Sequence, residues 1–129
     1  MKTTNFEISK KLKEAGFEAE SSFFWCRLDK DLIRIHISQS HSVPESIDKI
    51  KAYDLETILD ALPAFIEHNN ITYALWVWNN GIGYYPNYDK YSGEGVYNME
   101  NGIYEFGDDE SLADTAGRLW LMLKEKGLI

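Results

Sequence analysis

Three histidines, one cysteine and an acidic run are the residues whose types could do chemistry. His36, His41 and His68 could supply acid–base or metal-binding groups. Their spacings of five and twenty-seven residues match no ligand pattern of the HExxH kind, so they read as surface groups. Cys26 could act as a nucleophile with His36 as its base. Alternation opposes this pairing: Cys26 shares a strand face with Phe24 and Leu28, while His36 lies opposite the isoleucine face of the next strand. Cys26 reads as an inert core residue. A single cysteine also excludes a disulfide within the chain and a multi-cysteine metal site. Asp108-Asp109-Glu110 lacks the spacing of a calcium loop and reads as the solvated start of a helix. Gly81-x-Gly83 and Gly93-x-Gly95 lead into no helix and carry no Lys-Ser/Thr, so neither is a phosphate loop. No nucleophile, base and orienting group assemble from these residues. No catalytic residue, metal site or cofactor is expected.

The aromatic residues say more. Tyr73-Ala74-Leu75-Trp76-Val77-Trp78 runs into Asn79-Asn80-Gly81 and then Ile82-Gly83-Tyr84-Tyr85-Pro86. With a period of two, Tyr73, Leu75 and Val77 point one way, and Ala74, Trp76 and Trp78 the other. Both faces carry large apolar groups. One face suits a core, and the other calls for a partner, a ligand or a covering loop. If Ile33, Ile35, Ile37, Leu75 and Val77 meet helices, then Trp25, Arg27, Arg34, His36, Trp76 and Trp78 share the opposite face. Tyr84 or Tyr85 joins them. Rings with basic groups are common at binding surfaces and can stack on bases or sugars. Alternatively, the loop from Asn87 to Gly102, with Tyr88, Tyr91 and Tyr97, folds over this face as a second small core.

The elements that would position these residues follow from periodicity. Thr4-x-x-Glu7 is a capping-box pattern, and a helix from Asn5 to Ala15 follows, stopped at Gly16. Ser21 to Leu28 reads as a strand, and Asp29-Lys30-Asp31 as a turn. Leu32 to Gln39 returns, with Ile33, Ile35 and Ile37 alternating with Arg34, His36 and Ser38. Ser40 to Lys51 is a polar connection containing Pro44. Asp54 caps a second helix whose stripe is Leu55, Ile58, Leu59 and Leu62, ended by Pro63. Glu67-His68-Asn69-Asn70 turns the chain into the aromatic hairpin. Asn87 to Gly102 is the least regular stretch, with weak strand signals at Val96-Tyr97 and Ile103-Tyr104. Ser111 caps the last helix with Asp114 three residues on. Leu112, Ala116, Leu119, Trp120 and Leu123 form its stripe, and Gly127 stops it. The predicted fold is α+β: an antiparallel sheet of about four to six strands with three amphipathic helices on one face, in the order α-β-β-α-β-β-(β)-α.

At 129 residues the chain fits a single domain spanning 1–129. Hydrophobic content of 44% excludes general disorder. The net charge is -8. Residues 61–129 hold 4 basic and 10 acidic groups, against 9 and 11 in residues 1–60, so the acidity lies mostly in the second half. Nucleic acid and anionic membranes are repelled on average, and neither is expected as a partner. The start, Met1 to Phe6, lacks the apolar stretch of a secretion signal, and nothing approaches the roughly 20 apolar residues of a membrane span. A soluble cytoplasmic location is the expectation.

Several segments carry a resemblance. They are Ile8-Ser9-Lys10-Lys11-Leu12-Lys13-Glu14-Ala15-Gly16-Phe17, the strand with Phe23-Phe24-Trp25, the stretch from Ala52 to Pro63 and the helix from Ser111 to Ile129. Together they resemble a group of small uncharacterised proteins of bacteriophages and bacterial mobile elements. The likeness rests on helices and caps, so it implies no activity and carries over no functional residue. The expected function is a non-enzymatic interaction protein, an accessory factor of a phage or mobile element that binds a protein partner or forms a homodimer. The alternatives are a small-molecule or glycan-binding domain using the same rings, a small enzyme using His36 with a nearby carboxylate, or an acidic mimic of nucleic acid.

Overall fold

The computed structural model of the chain describes residues 2–44, 47–79, 84–91 and 111–129, with the backbone alone at 40–42, 78–79 and 84–85. Three helices form where capped amphipathic stripes predict them. Helix α1 spans Phe6–Glu14, α2 Leu55–Ala61 and α3 Leu112–Glu125. The cap of α1 differs from expectation. Asn5, not Thr4, accepts the Ile8 amide at 2.8 Å. Thr4 is wholly buried, its hydroxyl 2.7 Å from that of Ser9 and accepting the Tyr53 amide at 3.1 Å. Thr4 therefore ties the start of α1 to Tyr53, and the capping role passes to the next residue. Asp54 caps α2 by accepting the Thr57 amide at 2.8 Å, and Leu62 before Pro63 is extended. Ser111 caps α3 through the Asp114 amide at 3.2 Å. The Asp114 carboxylate also accepts the Ser111 hydroxyl at 3.0 Å and the Asn5 amide at 2.6 Å. One buried carboxylate thus serves the positive ends of α1 and α3 together.

The chain is α+β as predicted, but among the described residues six strands form two antiparallel sheets of three rather than one. Strands β1 (Phe23–Leu28), β2 (Asp31–His36) and β3 (Lys49–Ala52) are ordered β2-β1-β3. Strands β4 (Phe65–His68), β5 (Ile71–Asn79) and β6 (Tyr84–Lys90) are ordered β4-β5-β6. Two of these strands lie in stretches read as connections: β3 in the polar segment before Ala52, and β4 after Pro63. Strand β6 carries regular structure through Asn87 to Lys90, into the stretch read as irregular. Strand β2 ends at His36, and Ile37–Ser42 form a 3-10 helix that leaves Ile37 51% exposed. The strand signals at Val96-Tyr97 and Ile103-Tyr104, the two glycine pairs and the run Asp108-Asp109-Glu110 lie outside the described residues.

Among the described residues two apolar cores result. The larger joins Ile8 and Leu12 of α1, Ile58 of α2, and Leu119 and Leu123 of α3 to Ile66 and Tyr88 of the second sheet. Leu75 and Tyr73 pack against it from β5. Each such fully buried side chain stabilises the fold by about 1.5–3 kcal/mol relative to exposure. Helix α3 packs tightly on α1 at Gly117, where an added Cβ would lie 2.7 Å from the Ile8 Cγ2. The smaller core is Cys26, Ile35 and Val43, flanked by Phe24, Leu28, Ile33 and Ile47. The isoleucines of β2 therefore do not meet the helices, contrary to expectation. The segment after the 3-10 helix covers them instead, supplying Val43 and Ile47.

Candidate functional site

The sequence-predicted aromatic face divides between the two sheets. Trp25, Arg27, Arg34 and His36 lie together on the first. The registers Trp25↔Arg34 and Phe23↔His36 place them on the face opposite Cys26. That face meets the start of the chain. The Trp25 Nε1 donates to the Thr4 carbonyl at 2.9 Å, and Arg34 donates to the Thr3 hydroxyl at 3.0 Å. The Arg27 guanidinium sits 5.9 Å from the Phe6 ring centre, and that of Arg34 is 5.3 Å from the Phe23 ring. The His36 ring meets Phe23 edge-on at 5.2 Å and lies 2.8 Å from the Ser38 hydroxyl. Trp25, Arg27 and Arg34 hold residues 3–6 against the sheet, which is a structural task, while His36 contacts only Phe23 and the start of the 3-10 helix. His36 and Cys26 are on opposite faces, as alternation requires, and Cys26 is 1% exposed.

Trp76 belongs to the second sheet. Phe65 pairs with Ala74, and Thr72 lies level with Tyr91, so Phe65, Trp76 and Tyr91 share the face turned away from the larger core. The small Ala74 side chain leaves room above β5. Across it the rings of Phe65 and Tyr91 meet at 5.3 Å, inclined by 61°. Phe65 is 54% exposed and Trp76 45%. Val77, expected beneath the helices, is 41% exposed near the far end of β5. Trp78, Tyr84 and Tyr85 take part in the β5–β6 ladder, with Trp78 opposite Tyr85. Their side chains lie outside the described residues, as does the covering of this face by the tyrosine-rich loop beyond Tyr91. Asn87 and Asp89 on the same face are buried at 5% and 0% exposure.

Sequence reasoning missed Phe65 because it did not recognise β4 as a strand, and it placed Tyr91 in an irregular covering loop rather than just beyond the end of β6. The available signal was Asn69-Asn70, a two-residue turn with both φ angles positive, at 53° and 64°. Such turns close a hairpin between alternating strands. Among the described residues no group of His, Cys, Asp or Glu is placed to hold a metal ion. Nor is any helix there long and apolar enough to cross a membrane. No protein-family model matches the chain, and neither a curated protein nor a solved structure is significantly similar to it.

Proposed function

We propose that the chain is an interaction protein that binds a protein partner on the outward face of its second sheet, without catalysis. The observation that carries this reading is the exposure of Phe65 and Trp76 on one face, beside the Phe65–Tyr91 ring pair. Large rings clustered on a sheet are the groups that dominate binding energy at protein interfaces. A specific contact would bury roughly 800 Å² on this side. The resemblance to small phage and mobile-element proteins suggests an accessory role in the cytoplasm of a bacterial host. The aromatic and basic residues of the first sheet are left out of this proposal, since Trp25, Arg27 and Arg34 are engaged with residues 3–6 and His36 with Phe23 and Ser38.

The experiment compares partner capture by the natural chain with capture by Phe65→Ala, Trp76→Ala and Trp25→Phe. Truncating either outward ring is expected to weaken the complex by about 2 kcal/mol, roughly thirty-fold, with the circular dichroism spectrum unchanged. Trp25→Phe is expected to leave the complex intact. Equal capture by all four proteins would remove the outward face from the argument.

A further inference from the structure

Hydrogen bonding alternates along β5. The Leu75 amide donates to the Ala64 carbonyl at 2.8 Å, and the Tyr91 amide to the Thr72 carbonyl at 2.9 Å. With Ile66 opposite Tyr73 and Ala74 opposite Asp89, odd-numbered residues of β5 bond to β4 and even-numbered ones to β6. This engages the backbone of Ala64, just before β4, and of Ile66 and His68 within it. The amides and carbonyls of Phe65 and Glu67 point the other way. Among the described residues β4 is an edge strand, and Phe65 and Glu67 are both exposed. An edge of this kind is a template for another strand.

The geometry points to a second copy of this chain as that strand's source. We propose that two copies pair antiparallel along β4, with Phe65 of each opposite Glu67 of the other and the two-fold axis at Ile66. Two outward residues spaced by two are their own complement about such an axis, and all four amides find carbonyls. Neighbouring registers are worse. Sliding one way sets Phe65 against Phe65 and Glu67 against Pro63, which has no N–H and whose carbonyl already takes the Tyr88 hydroxyl. Sliding the other way sets two Glu67 carboxylates side by side. In the favoured register each Phe65 ring lies along the Glu67 stem of the other copy, and the Phe65–Tyr91 pairs flank the seam. The net charge of -8 on each copy opposes approach, so added salt strengthens pairing. This contact is separate from the binding reading above: it lies at the sheet edge rather than on the ring face that carries Trp76.

The test is the solution mass of the whole chain by sedimentation over rising concentration, with amide exchange read residue by residue. A dimer is expected, favoured by salt, in which the Phe65 and Glu67 amides become protected as concentration rises. Glu67→Pro removes an outward N–H and no bond to β5, so a folded monomer is expected. Trp76→Ala is expected to keep the dimer, which separates this contact from capture on the ring face. A chain that stays monomeric throughout overturns the proposal. So does a dimer whose Phe65 and Glu67 amides exchange freely, or a folded Glu67→Pro protein that still pairs. Should Glu67→Pro fail to fold, amide exchange in the natural chain decides alone.

Discussion

Tyr88 is the largest wholly buried side chain among the described residues, and its hydroxyl donates to the Pro63 carbonyl. Burial pushes its phenol well above the ordinary value of 10. Tyr53 is raised as well, first by burial and further by Glu18 and Glu20, while a hydrogen bond with the Ala19 backbone pulls the other way. Above pH 10 the unfolded chain therefore releases protons that the folded one retains. Stability is intact below that pH and falls as the pH climbs through it. Urea midpoints measured from neutral to strongly alkaline pH are expected to show this decline. Tyr88→Phe should lose about 1 kcal/mol at neutral pH, through the orphaned Pro63 carbonyl, and show a shallower alkaline fall. An equally steep fall in that variant would move the effect to other groups.

The β4–β5 hairpin depends on its turn as much as on its strands. Asn70 holds a φ of 64°, a left-handed conformation that a β-branched residue adopts only at a cost of about 1–2 kcal/mol. Asn70→Val is expected to lower the unfolding free energy read from urea titration by that much, while Asn70→Gly holds or raises it. An unaffected valine variant would show that the turn does not fix the register. The three helices were legible in the sequence because each combines a cap, an apolar stripe and a stop within about fifteen residues. The pairs β1–β2 and β5–β6 were legible because their alternation runs over six or more positions. Strands β3 and β4 were not, since Lys49–Ala52 and Phe65–His68 are four residues each and show too few alternations to stand out. The candidate site suffered from the same gap. Alternation separated Trp25 from Cys26 and Trp76 from Leu75, but which sheet a strand joins, and which of its faces meets the rest of the chain, depends on long-range pairing that no local pattern encodes: the Trp25 face, expected away from the helices, meets the start of α1. With β3 and β4 unseen, one sheet seemed to hold both tryptophans.

Across the whole molecule the two cores are unequal. Among the described residues the larger holds twelve buried residues, drawn from all three helices, the second sheet and the segments between them, while the smaller holds three. The first sheet is tied to the rest through residues 3–6 and Tyr53, by hydrogen bonds rather than a broad apolar contact. Less buried apolar surface means a smaller free energy of local opening, so the smaller core is expected to breathe before the molecule unfolds. Cys26 lies within it, 1% exposed, and is the single thiol in the sequence. Its alkylation rate in native buffer is expected to report an opening free energy below that of global urea unfolding. Equal values would make the two cores one cooperative unit. The molecule thus carries its own chemical clock: a sulfhydryl whose labelling tempo registers the loosening of one sheet while the helices hold fast.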